Sequence, residues 1–223
     1  MEIGGSALVT GASRGIGRGV ALELAARGFT TVATMRDVAA GKELAEEAEG
    51  RLVVARLDVT DPATYEFPDD LRILVNNAGV DSAYLPVEHS EDDDWRALFE
   101  TNVLGAVKVT SAAIPVLRAN RPAVVCNVTS SSILAAVPFY SAYRAMADEA
   151  RALREENADS LVVSPSEAAA SIVDAILDDG GPLRYGCDPL SVGFLDLWRQ
   201  SDDETMFELT GRSFLQRIEP EEG

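Results

Sequence analysis

The chain has 223 residues, of which 47% are hydrophobic and 25% charged, enough to bury the core of one globular domain. Its net charge of −18 opposes binding to nucleic acid, and no apolar run reaches the roughly 18 residues of a membrane span. A basic and apolar leader is also absent, so the composition predicts a cytoplasmic protein that binds neither nucleic acid nor membrane.

A glycine-rich turn joins the first predicted strand to the first predicted helix. Ala7–Val9 is an apolar run typical of a buried parallel strand, and the residues after the turn have helical apolar spacing up to Gly28. Gly11, Gly15 and Gly17 allow a pyrophosphate to approach the backbone, while the helix supplies N–H groups and the positive end of its dipole. The turn therefore predicts a dinucleotide site, with a purely structural turn as the alternative.

The second predicted strand, Thr31–Met35, ends where such folds bind the adenosine ribose. An acidic residue alone would bind the ribose hydroxyls, whereas an arginine favours a 2′-phosphate. Arg36 stands first here, before Asp37, and Arg14 of the glycine turn can approach the same phosphate. At about 1.5–3 kcal/mol per charge-assisted contact, this pair predicts that NADP(H) binds at least about tenfold tighter than NAD(H). Two solvated surface arginines are the alternative.

The third and fourth strands are predicted at Arg51–Leu57 and Ile73–Val75. Between them, the connection that Asp61-Pro62 opens has only about ten residues, too few for a full crossover, so we expect a single helical turn or an extended loop. The fourth strand runs into Asn76–Gly79, small and polar residues at the carboxyl edge of the sheet, where open α/β folds bind ligands. The pattern indicates an α/β fold with a Rossmann-like, doubly wound parallel sheet.

A long helix is predicted from Ser90, whose hydroxyl caps an acidic first turn. We expect this helix to direct its large apolar residues inward: Trp95, Leu98, Phe99, Val103 and Val107. Asn102 lies in its middle although asparagine is a poor helix former. We therefore expect its side chain, or a kinked carbonyl, to be directed at the site; a chance surface position is the alternative.

The fifth strand is predicted at Ala123–Val128, and the hydroxyl residues Thr129–Ser132 follow it at the same edge of the sheet, either facing the site or forming a simple turn. Ser166 is expected to cap a helix over 167–177. A last strand is expected over 183–185, followed by a helix over 191–200. One histidine and two distant cysteines lack metal-ligand spacing, so no metal site is expected.

Taken together, these motifs resemble the short-chain dehydrogenase/reductase family. The resemblance rests on residues 10–17, Asp58-Val59, Asn76 to Gly79, Asn102 to Gly105 and Asn127 to Ser130, all in family order. It covers roughly residues 5–146 and, more weakly, 165 to the end. It implies a single Rossmann-fold domain that binds NADP(H) through the following residues: Gly11, Ser13, Arg14, Gly15, Ile16, Gly17, Arg36, Asp58, Val59, Asn77, Ala78 and Gly79.

The resemblance also implies a ketoreductase that transfers a hydride between NADPH and a small-molecule carbonyl or alcohol substrate. Ser130 would hold the carbonyl oxygen, and Tyr143, thirteen residues later, would donate the proton; Asn102 completes the candidate catalytic set. A second interpretation assigns the proton to Tyr140, with Arg144 four residues on. The resemblance further favours a homodimer or homotetramer.

The sequence departs from the family after Met146. The family has a lysine four residues after the tyrosine, a cation that lowers the tyrosine pKa by about 1–3 units, but Ala147 stands there in this chain. The family's sixth strand and its Pro-Gly turn over the nicotinamide are not recognisable either. We infer that an internal segment is missing from the domain of residues 1–223. Either the segment is deleted from the protein, or the protein has it and only the recorded sequence omits it. The alternative function is a catalytically impaired NADP-binding sensor or partner-binding relative.

Overall fold

A computed structural model of the chain describes residues 2–48, 50–80, 91–129, 163–202 and 205. The chain separates into two compact units. The first contains the described residues up to 80, 93–129 and 164–182; the second contains those at 91–92, at 163 and from 183 onward. A single domain over the whole chain stays a prediction.

A parallel sheet forms the centre of the first unit. Its strands are β1 (Ser6–Val9), β2 (Thr30–Met35), β3 (Leu52–Arg56), β4 (Leu71–Asn76) and β5 (Val124–Asn127). They lie in the order β3-β2-β1-β4-β5, all parallel. The chain changes direction across the sheet between β1 and β4, which is the switch point where ligands bind in such folds. The predicted Rossmann-like parallel sheet is confirmed.

Helices connect the strands. The first unit contains α1 (Gly15–Ala26), α2 (Lys42–Glu47), all but the first residue of α3 (Asp92–Phe99), α4 (Ala106–Ala119) and α5 (Pro165–Leu177), and the second contains α6 (Pro189–Gln200). A 3₁₀ turn at Val38–Gly41 precedes α2, and a π-helical turn at Glu100–Gly105 joins α3 to α4. The β3–β4 connection is a single helical turn, Pro62–Thr64, followed by an extended segment, as predicted. Within the described residues, no helix combines the length and the apolar character needed to cross a membrane.

The sheet has an apolar cluster on each face. On one face α1 and α5 pack against the strands, and Leu24 and Phe29 are fully buried there. On the other face α4 buries Val109, and Tyr65 and Phe67 of the short β3–β4 connection pack beside it, their ring centroids 6.3 Å apart. Each fully buried large apolar side chain contributes about 1.5–3 kcal/mol, so the two clusters hold the strand ends in place from both sides.

The predicted inward face of the long helix is wrong. Trp95, Phe99, Val103 and Val107 are 51%, 57%, 43% and 56% exposed. The residues that α4 buries belong to a second series with the same spacing: Val109, Ala113 and Leu117. Two residues span about 200° on a helix of 3.6 residues per turn, so Val107 and Val109 lie on opposite faces. Spacing alone does not distinguish the two stripes.

Two predictions near the C-terminus are also wrong. Ser164, not Ser166, caps α5, because Pro165 takes the first helical position and Glu167 completes a capping box with Ser164. Residues 183–185 form no strand in the described sheet, and Leu183 is fully exposed. The predicted helix over 191–200 is confirmed as α6, which begins two residues earlier. The predicted cap at Ser90 lies outside the described residues.

Candidate functional site

The glycine turn (residues 10–17) fits against the end of β4 without room for side chains. A Cβ on Gly11 would lie 2.7 Å from the Cα of Ala78, and one on Gly17 would lie 2.2 Å from Nδ2 of Asn77. Gly11 and Gly15 have φ values of +67° and +59°, in the left-handed region that favours glycine. A Cβ on Gly15 would contact no atom within 4 Å, so its open side leaves space for a ligand.

Hydrogen bonds join the glycine turn to the residues after β4. Thr10 is 1% exposed, and its hydroxyl accepts hydrogen bonds from the N–H groups of Asn77 and Ala78, each at 3.0 Å. The side-chain amide of Asn77 in turn donates to the carbonyls of Thr10, at 3.0 Å, and Gly11, at 3.1 Å. The turn and the end of β4 therefore form one rigid wall.

The N-terminus of α1 has the features of an anion site. Its N-cap residue, Arg14, makes no side-chain capping bond, and the first turn contains no acidic residue. The first N–H groups of a helix have no partner within the helix, and the dipole places positive charge there. These groups are therefore available to a phosphate.

A cavity of about 690 Å³ opens beside this helix terminus, within the usual size range of ligand pockets. Every predicted cofactor residue lines it: Gly11, Ser13, Arg14, Gly15, Ile16, Gly17, Arg36, Asp58, Val59, Asn77, Ala78 and Gly79. Sequence reasoning missed five further lining residues: Met35, Leu57, Thr60, Val80 and Thr101. Four of them adjoin a predicted cofactor residue in the sequence, and Thr101 adjoins the catalytic candidate Asn102, so adjacency was the available signal.

Three charged residues that line the cavity follow strands: Arg14 comes after β1, Arg36 after β2 and Asp58 after β3. Arg14 and Arg36 are exposed, and neither forms an ion pair with any residue that the structure describes. Oδ1 of Asp58 accepts hydrogen bonds from the Thr60 amide, at 2.9 Å, and the Thr60 hydroxyl, at 2.7 Å. The Thr60 amide, aided by its hydroxyl and by the charge of Arg36, holds the pKa of Asp58 below its usual range. Asp58 is therefore an anionic hydrogen-bond acceptor that the charge of Arg36 helps to stabilise.

Asn102 lies in the π-helical turn, and its side chain contacts the main chain of Val80. Nδ2 donates to the Val80 carbonyl at 2.9 Å, and Oδ1 accepts from the Val80 N–H at 2.8 Å. The side chain thus holds the segment after β4 rather than lining the cavity, whereas its neighbour Thr101 does line it. A catalytic role for Asn102, through its side chain or its main-chain carbonyl, stays a prediction.

A polar contact that the sequence did not reveal joins the ends of β4 and β5 to α4. Nδ2 of Asn76 donates to Oδ1 of Asn127 and to Oγ1 of Thr110, each at 2.8 Å. Asn76 is 6% exposed, and its own Oδ1 is buried without a partner among the described residues. We call Asn76, Asn127 and Thr110 the amide joint.

The remaining catalytic candidates, Ser130 and Tyr143, lie outside the described residues, as do Tyr140 and the junction after Met146. After β5, the structure describes the chain up to Thr129, directly before Ser130.

Comparison with known proteins identifies the family. The short chain dehydrogenase family model matches residues 6–162, so this chain belongs to that family. A solved short-chain dehydrogenase from Streptomyces avermitilis superposes with a TM-score of 0.70 at 25% identity, covering 99% of this chain and 100% of that one. The closed form of serine dehydrogenase complexed with NADP+ superposes with a TM-score of 0.57 at 27% identity, covering 68% of this chain and 66% of that one.

Among curated sequences, sulfoacetaldehyde reductase of Chromohalobacter salexigens is 37% identical over 119 residues, 49% of this chain and 47% of the relative. The chain spans about half the length of the curated relatives it matches.

Proposed function

We propose that this protein is an oxidoreductase that transfers a hydride between NADPH and a ketone. One observation carries the proposal: the glycine turn, the uncapped start of α1 and two arginines without ion pairs among the described residues surround a single cavity at the switch point of the sheet. Membership of the short-chain dehydrogenase family, the reductase relative and the NADP+ complex of a structural neighbour support it.

The residues around the cavity fit the polar groups of NADP(H). The first N–H groups of α1 would bind the pyrophosphate beside the open face of Gly15. Arg14 and Arg36 would bind the 2′-phosphate, and both line the cavity. Asp58 would accept a hydrogen bond from the adenine amino group through Oδ2, because Oδ1 already accepts two bonds from Thr60. NADPH, when bound, supplies the hydride.

The substrate would bind where the chain continues from β5. Ser130 would hold the carbonyl oxygen, and Tyr143 would donate the proton to the oxygen that becomes an alcohol. The Thr10 and Asn77 contacts would keep the cofactor wall fixed while this occurs. We also propose that the protein is cytoplasmic and that it forms a homodimer or homotetramer.

A second candidate is an NADP-binding sensor without turnover. Ala147, four residues after Tyr143, favours it, because no lysine then stabilises the ionised tyrosine. An unperturbed tyrosine has a pKa near 10, so only about one such side chain in a thousand is ionised at neutral pH. A tryptic peptide that reads from Ala145 to Arg151 without interruption would show that the segment is truly deleted.

Calorimetry with the two cofactors tests the proposal. NADPH should bind at least about tenfold tighter than NADH, and Arg36→Leu should remove most of that difference. Arg56→Leu is the matched control, because Arg56 ends the neighbouring strand β3 but does not line the cavity. Equal affinities in the unmodified protein would contradict the cofactor assignment. Consumption of a ketone with NADPH then separates the reductase from the sensor.

A further inference from the structure

The amide joint connects two segments of the candidate site that are distant in sequence. Asn76 ends β4 and directly precedes Asn77, Ala78 and Gly79, which line the cavity. Asn127 ends β5, three residues before the proposed catalytic Ser130. The side-chain nitrogen of Asn76 thus joins two strands by a hydrogen bond. One strand, β4, leads to the cofactor wall, and the other, β5, leads to the proposed proton-transfer residues.

Among the described strands, β4 alone forms backbone hydrogen bonds with β5. The two strands pair over four residues of β5, from Val124 to Asn127. Beyond that register, the Val128 N–H donates to the Asn76 carbonyl at 2.9 Å. The bond from Asn76 Nδ2 to Asn127 Oδ1 holds the same point through side chains. Both bonds lie at the last pair of residues before the chain leaves the sheet.

We propose that Asn76 is a positioning residue for the reduction: by holding Asn127, it fixes the end of β5 relative to the cofactor cavity. Asn76 makes a second bond, to Oγ1 of Thr110 on α4, which does not involve β5. This inference rests on the proposed function, because it assigns the residues after β5 to the reacting end of the site.

The two partners of Asn76 offer a matched pair of variants. Asn127→Ala removes the acceptor on β5, and because Asn127 is exposed the change creates no buried cavity. Thr110→Val removes the acceptor on α4 with nearly the same shape. If the amide joint only stabilised the fold, Asn127→Ala and Thr110→Val would lower activity to the same extent, just as they would lower stability.

Steady-state kinetics with NADPH and a ketone should separate them. In Asn127→Ala, kcat should fall about 10- to 100-fold while the Kd for NADPH stays within about twofold. In Thr110→Val, kcat should stay within about threefold. Asn127→Asp should restore most of the kcat, because a carboxylate oxygen still accepts the bond from Asn76.

Amide hydrogen exchange supplies a readout that needs no turnover. The Val128 amide should exchange at least about tenfold faster in Asn127→Ala than in Asn127→Asp or Thr110→Val. Unchanged exchange in Asn127→Ala, or an equal loss of kcat in Thr110→Val, would overturn the positioning role. If the unmodified protein reduces no ketone but the variants show the expected differences in exchange, the proposed function is wrong. The inference that Asn76 holds the end of β5 is then still supported.

Discussion

The glycine turn and the amide joint both hold strand ends at the same edge of the sheet, but by different means. The turn is held by steric fit in addition to its hydrogen bonds with Asn77 and Ala78, because Gly11 and Gly17 approach the end of β4 too closely for any other residue. The joint depends on two hydrogen bonds from Asn76, each contributing only about 0.5–1.5 kcal/mol. The wall that lines the cavity is therefore held sterically and by several bonds, whereas the side-chain hold on the end of β5 is weak. Under the proposed function, we expect substitutions at the two places to affect cofactor binding and turnover separately.

Tyr143→Phe should separate turnover from cofactor binding more than any other change. This change removes the proposed proton donor but keeps the ring, so turnover should fall by about 10²-fold or more while NADPH binding is nearly unchanged. Tyr140→Phe, the matched control, should be mild. Parallel measurement of kcat and of NADPH affinity checks both, and the opposite order of effects would assign the proton to Tyr140 with Arg144.

Gly17→Ala should instead weaken cofactor binding. Its Cβ would meet Nδ2 of Asn77 at 2.2 Å and the carbonyl of Gly11 at 2.5 Å, so the turn must shift. We expect NADPH affinity, measured by titration, to fall at least about tenfold. We expect the free energy of unfolding, measured by thermal unfolding, to fall by about 1–3 kcal/mol.

Gly193→Ala is the control for this change, because a Cβ at that position of α6 meets no atom within 4 Å. It should leave NADPH affinity unchanged and raise stability by about 0.5–1 kcal/mol. Full affinity in Gly17→Ala would mean that the glycine turn does not shape the binding surface.

The smallest effect concerns Asp58, whose pKa the Thr60 amide and hydroxyl depress. A depressed carboxyl pKa stabilises the fold above the unfolded value of about 3.9, and that contribution is lost as pH falls through the lower folded pKa. Thr60→Val should raise the pKa of Asp58 toward its usual range and lower Tm near neutral pH but not in strong acid.

NMR titration of the carboxyl group measures the Asp58 pKa directly. Thr64→Val is the control, because the Thr64 hydroxyl bonds the main chain of Asp58 rather than its carboxylate. An unchanged Asp58 pKa in Thr60→Val would assign the shift to the backbone bond alone.

Most of the cofactor side could be predicted because its residues are contiguous with strand ends. The residues of the glycine turn follow β1, and Asn77 follows β4, so predicting the strands also located their neighbours at one edge. The amide joint could not be predicted, since its bonds link residues 34 and 51 positions apart and depend on strand register. The inward stripe of α4 was misplaced for a related reason: two apolar series share a spacing, and only packing selects between them.

The exposed stripe of α3 and α4 has a spectroscopic consequence. The chain has two tryptophans: Trp95 on this stripe, 51% exposed, and Trp198 on α6, 40% exposed beneath the guanidinium of Arg184. Both indoles already contact water in the folded protein, so unfolding changes their surroundings little. Tryptophan emission should therefore report poorly on unfolding, and the fraction folded is better measured by far-ultraviolet circular dichroism.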